Sequence, residues 1–123
     1  MHLRELAPGE QLEDIIASSP LALLQFGTQS CAPCGALRQK IDSWLDEREK
    51  TPGHLPLAAV YISLDEYPAL AAQADVLSAP TLRFYADGQL WAEAAGYFSL
   101  EQFLARAERA EQLLRGAEAS RTS

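Results

Sequence analysis

The spacing of hydrophobic positions changes repeatedly along the chain, and each change marks an element. Residues 21–26, Leu-Ala-Leu-Leu-Gln-Phe, are apolar at nearly every position, the pattern of a central strand covered on both faces. From Leu37 the apolar residues fall at Ile41, Trp44 and Leu45, the spacing of one helix face, with Arg38, Gln39, Asp42, Asp46 and Glu47 on the wet side. This helix is expected to run to about Lys50, where Thr51-Pro52-Gly53-His54 stops it. A second buried strand is read at 57–64 and a short alanine-rich helix from Pro68 to about Asp75. Strands at 82–85 and 90–95 flank Asp87-Gly88, residues that supply the positive φ angles of a tight hairpin.

Ser99 followed by Gln102 is a capping box, and it opens a closing helix with Leu100, Phe103, Leu104, Ala107 and Leu114 on one side. Upstream, residues 1–7 read as a short edge strand. Pro8-Gly9 then leads into a helix striped by Leu12, Ile15 and Ile16. The tail from Gly116 is small and polar and is expected to fray. The order implies an α/β domain over 1–115 with a flexible tail at 116–123. Its central mixed sheet has a parallel β-α-β half and an antiparallel hairpin half, with helices on both faces.

Composition narrows the function. A net charge of −7 argues against a nucleic-acid binder, which needs clustered Lys and Arg, and against docking on an anionic membrane. Apolar runs such as Leu21 to Leu24 are too short to span a bilayer. The N-terminal residues carry acids early and have no apolar core of a secretion signal, so the expected setting is cytoplasmic. There, a paired-cysteine motif reads as catalytic or metal-binding before it reads as a structural staple. The expected state is a monomer.

The chain has two cysteines, Cys31 and Cys34, three positions apart at the junction between the first central strand and the long helix. A thiol at a helix N-terminus is favoured as thiolate by unpaired N–H groups and the helix dipole. One turn later a second thiol is close enough to form a disulfide with it. Pro33 falls where a helix tolerates proline, in its first turn. The competing readings are two inert thiols, or a zinc site, for which only His2 and His54 remain as partners. Both histidines also read as plain surface residues. Trp44 and Trp91 read as packing residues, Arg38 as a solvated helix charge, and the Glu-rich last helix as a solvated face. Gln25 reads equally as a strand amide satisfied by backbone and as a tuning residue.

In this order the chain resembles the thioredoxin family over nearly its whole length. The resemblance rests on Cys31-Ala32-Pro33-Cys34, on Asp65 fifteen residues before Pro80, on Ala79-Pro80-Thr81, and on Gly88 and Gly96 at the hairpin and at a strand end. It implies a thioredoxin-like fold and a thiol–disulfide oxidoreductase. Cys31 would be the nucleophile and Cys34 the resolving thiol, with Ala32 and Pro33 tuning the pair. A cis Pro80 would lie against the cysteines, Ala79 would offer backbone to an extended substrate, and Gly96 would keep the rim low. The resemblance implies disulfide-containing proteins or small disulfides as partners. It implies electrons from a separate reductase or thiol pool, and no metal or bound cofactor beyond the Cys31–Cys34 disulfide.

Three positions depart from the family pattern. Gln25 stands where a buried aspartate is usual, Tyr61 where a lysine is usual, and Ser30 where an aromatic residue is usual. Gln25 can hydrogen-bond but cannot take up a proton at neutral pH. A second reading therefore stays open, a thioredoxin-fold binding module or adaptor whose cysteine pair turns over slowly.

Overall fold

The computed structural model describes residues 1–122, with side chains as far as Glu118. Among the described residues five strands and four helices follow in the order β1 (Arg4–Glu5), α1 (Leu12–Ala17), β2 (Leu21–Gly27), α2 (Ala32–Lys50), β3 (Leu57–Ser63), α3 (Pro68–Gln73), β4 (Thr81–Ala86), β5 (Gln89–Ala95) and α4 (Leu100–Thr122). The sheet order is β1-β3-β2-β4-β5. β1, β3 and β2 run parallel, while β4 is antiparallel to β2 and to β5.

β2 lies at the centre and all seven of its residues are buried. Its side chains alternate between two cores, as a strand's geometry requires. Leu21 and Leu23 join Ile41 and Leu45 of α2 and Phe103, Ala107 and Ala110 of α4 on one face. Leu24 and Phe26 join Leu12 and Ile15 of α1, with Val60, Ile62 and Val76, on the other. Each Leu, Ile, Val or Phe among them contributes roughly 1.5–3 kcal/mol by leaving water, so the two cores fix the helices on opposite faces.

The turn chemistry follows the residues. Asp87 and Gly88 both have positive φ, at 53° and 77°, as a two-residue hairpin turn of this hand needs. The Ser99 hydroxyl oxygen accepts from the Gln102 N–H at 3.2 Å, which caps α4. A register shift between Phe84 and Tyr85, opposite Trp91, bulges β5 and leaves Trp91 exposed, so it is not the packing residue expected. Trp44 does pack on the α2/α4 core, and its indole N–H reaches Glu108 at 3.1 Å.

Two expectations at the far end are corrected. α4 does not end near 115 but continues to Thr122, so residues 116–122 of the expected tail are helical, and Ser123 lies outside the described residues. A single glycine at 116 costs a helix only about 1 kcal/mol, and its neighbours Arg115, Ala117 and Glu118 are good helix formers. Nor is the acidic side of α4 wholly solvated. Glu111 is 5% exposed; it forms a buried pair with Arg48, accepts from the Leu55 N–H and is met from the surface by His54. His54 is a surface residue, as expected, and its ring lies 2.9 Å from Glu111 of α4.

Candidate active site

Cys31 is the N-cap of α2, with extended backbone, and Ala32 and Pro33 open the helix. The first turn holds no acidic residue, so nothing there opposes the positive end of a 19-residue helix. The Cys34 N–H closes this turn on the Cys31 carbonyl at 3.2 Å. The two cysteines form a disulfide, with Sγ–Sγ 2.12 Å and Cα–Cα 5.4 Å. Their environments differ sharply. Cys34 is 2% exposed, whereas Cys31 is half-buried, and Ala32 and Pro33 are exposed. A nucleophile from outside reaches Cys31 first.

The loop before α2 is fastened across the sheet. The Gln29 N–H donates to Asp65 Oδ2 at 2.8 Å, and the Cys31 N–H donates to the Thr28 carbonyl at 3.3 Å. Asp65, chosen from sequence for its position, thus anchors the approach to Cys31.

Ala79–Pro80 is a cis peptide bond, and Pro80 is buried. Thr81 Oγ1 donates to the Ser78 carbonyl at 2.7 Å, and the Gly96 N–H donates to the Pro80 carbonyl at 3.1 Å. Gly96 adopts a φ of 70°, a conformation glycine takes without strain. These bonds draw the 78–81 loop and the end of β5 together beside α2. The result is a groove of about 260 Å³ whose walls include Pro33, Leu37, Lys40, Pro80, Gly96 and Phe98. Among the described residues, the Ala79 N–H and carbonyl make no backbone hydrogen bond.

The structure thus brings together Cys31, Cys34, Ala32, Pro33, Ala79, Pro80 and Gly96 at one end of the sheet. Gln25 lies beneath them, fully buried, with its Nε2 donating to the Cys34 carbonyl at 3.1 Å and its Oε1 without a partner. Of the two readings of Gln25, backbone satisfaction therefore covers only the nitrogen. Arg38 is not simply solvated. Its guanidinium stacks 4.5 Å above the Tyr61 ring, donates to the Leu3 carbonyl at 3.2 Å and lies 3.7 Å from Glu5. The histidines stand away from the cysteines. His2 lies 3.0 Å from Asp46 and His54 2.9 Å from Glu111, both towards the far end of α2.

Sequence reasoning missed the apolar rim. Leu77, three residues before Pro80, and Tyr97, directly after Gly96, are almost wholly exposed. The available signal is loop position, since a large apolar side chain in the loop leading to Pro80 or directly after Gly96 has no strand or helix face to bury it.

Comparison with known proteins gives the family. The thioredoxin family pattern matches residues 4–109. The chain belongs to the thioredoxin family. It is 27% identical to thioredoxin-2 of Pyricularia oryzae over 96 residues, 78% of this chain and 53% of that protein. The chain therefore spans about half the length of the curated relative it matches. Among solved structures it resembles a mutant thioredoxin from Halobacterium salinarum, with TM-score 0.73 and 23% identity over 89% of this chain and 91% of that one. Spinach chloroplast thioredoxin f superposes with TM-score 0.71 and 19% identity, covering 89% and 93%. At these identities the structural likeness concerns the thioredoxin fold, which this mixed five-stranded sheet shares.

Proposed function

We propose that the protein is a thiol–disulfide oxidoreductase, with Cys31 as nucleophile and Cys34 as resolving thiol. The observation that supports it best is the asymmetry of the pair: a half-buried sulfur at a helix N-terminus bonded to one that is almost wholly enclosed. In the reduced protein the Cys31 thiolate attacks one sulfur of a substrate disulfide and expels the other as a thiolate. Cys34 then attacks Cys31 in the mixed disulfide, releases the second substrate sulfur and closes the Cys31–Cys34 bond. Two electrons pass to the substrate, and its two thiolates take protons from water.

An extended substrate strand would pair with the Ala79 backbone, with Pro80 and Gly96 keeping the approach to Cys31 open. Ala32 and Pro33, within the ring the disulfide closes, tune how readily it opens, and Gln25 tunes Cys34 from below. The substrates are proteins or small molecules bearing disulfides. In a reducing, cytoplasmic setting a separate reductase or thiol pool returns the pair to the dithiol, and the monomer needs no metal or bound cofactor.

The second reading is a thioredoxin-fold binding module with a slow cysteine pair. It is favoured by Gln25, which puts an amide, not a proton-accepting carboxylate, beneath Cys34. Reduction of a test protein disulfide separates the two. The oxidoreductase shows turnover that Cys31→Ser abolishes, and Cys34→Ser accumulates a mixed disulfide with the substrate. Wild type no faster than a free dithiol, with no trapped partner, would overturn the enzyme reading.

A further inference from the structure

Neutral side chains surround the Cys34 sulfur from the sheet side. Gln25 and Tyr61 are partners in the parallel register of β2 and β3, so both rise from the same sheet face towards α2. The Tyr61 hydroxyl extends over Gly27. A Cβ at Gly27 would collide with that hydroxyl and would stand 3.1 Å from Cys34 Sγ. The phenol oxygen and the sulfur therefore share the one space that glycine at 27 leaves open. Tyr61 is half-buried, and Gln25 Oε1 on the same sheet face is a buried acceptor without a donor. A closed disulfide offers neither of them a strong partner. A free Cys34 offers both: its thiolate accepts and its thiol donates.

We propose that Tyr61 is the positioning residue of the resolving thiol, its O–H donating to the Cys34 thiolate once the disulfide opens, with Gln25 Oε1 accepting from Cys34 when the sulfur is protonated. This rests on the oxidoreductase reading for its place in the reaction, though not for its geometry. The step balances without a titrating base. The Cys34 thiolate attacks Cys31 Sγ, a sulfur–sulfur bond forms between them, and the Cys31–substrate bond breaks. Its electron pair leaves on the substrate sulfur, which takes a proton from water.

Throughout, the phenol stays a neutral donor. The charged groups that face it are Arg38 from α2, Glu5 from β1 and Asp65 beyond β3, while Gln25 from β2 is neutral. Burial raises the Tyr61 pKa further above its usual value of 10.0, and the two acids outside reinforce that against the opposing Arg38. The stacked Arg38 fixes the ring from the solvent side.

The test uses Cys31→Ser protein, in which Cys34 is the only thiol, and follows its ionisation by the Cβ resonance of isotope-labelled cysteine. Adding Tyr61→Phe keeps the ring and removes the donor. The Cys34 midpoint is expected to rise by about 1, and resolution of a mixed disulfide in Tyr61→Phe alone to slow about tenfold at neutral pH and recover in alkali. A melting curve unchanged within a few degrees assigns the effect to the hydroxyl and not to the fold. An unchanged or lower Cys34 midpoint overturns the proposal. The midpoint is read without turnover, so a protein whose Cys34 shifts as expected but reduces no disulfide would defeat the oxidoreductase reading and leave the Tyr61 assignment standing.

Discussion

The two ends of α2 solve opposite problems. At its N-terminus the helix carries a half-buried cysteine and exposed Ala32 and Pro33, and the loops before Pro80 and after Gly96 leave Leu77 and Tyr97 uncovered among the described residues. At its C-terminus Arg48 meets Glu111 at 2.8 Å, with side-chain exposures of 10% and 6%. The Glu111 carboxylate also accepts from the Leu55 N–H at 2.7 Å and lies 2.9 Å from His54, while Arg48 donates to the Leu55 carbonyl at 2.7 Å. One end keeps its reactive group accessible; the other ties the long 51–56 connection to α4 with buried charge. A helix this long separates the two tasks by roughly 25 Å, so the accessible end can stay open because the distant end is closed.

The largest expected effect breaks that division directly. Glu111→Ala leaves Arg48 buried without its carboxylate and the Leu55 N–H without its acceptor, and is expected to cost about 3–5 kcal/mol in denaturant unfolding. Disulfide reduction measured well below the melting temperature is expected to stay within about twofold of wild type, a change of under ~0.5 kcal/mol in the barrier. A loss of turnover as large as the loss of stability would show that the two ends are one unit.

The next effect is at the open end. Replacing Leu77 and Tyr97 together by Ser is expected to raise KM for a protein disulfide about tenfold, since burying part of two large apolar side chains on binding is worth ~1.5 kcal/mol. The rate with a small disulfide and the melting temperature should not move. Equal losses with both substrates would place these side chains in the fold or the chemistry and not in docking.

The smallest effect is a pH dependence confined to the closed end. Burial pushes the Glu111 pKa up, but the Leu55 N–H, His54 and Arg48 outweigh it and hold the carboxyl below its ordinary 4.5. A carboxyl lowered on folding adds stability above the unfolded value, and that stability is lost as the pH falls through the lower folded value. Wild type is therefore expected to lose melting temperature below about pH 4.5 more steeply than Glu111→Gln, the two curves converging in strong acid. Parallel curves would remove Glu111 as the titrating group.

Much of this molecule is legible in its residues because local rules point the same way. The apolar run at 21–26, the helical spacing from Leu37 and the Asp87-Gly88 turn each specify an element through steric and burial constraints that act within a few residues. The Cys31–Cys34 spacing and its place between a strand and a helix specify a disulfide at a helix mouth for the same reason. In sequence Glu111 is one acid among several on a last helix that reads as a solvated face. Only packing against Arg48, His54 and Leu55 distinguishes it from its neighbours.

What the sequence determined by itself is the family, the sheet with its two covered faces, and the reactive pair. Tertiary structure decided which sulfur is enclosed, which large side chains stay uncovered beside it, and what surrounds Cys34. Gln25, Gly27 and Tyr61 lie on two strands, and only the parallel register of β2 and β3 places the amide and the phenol on one face below the same sulfur. Contacts of that kind join residues far apart in the chain, and no local pattern encodes them.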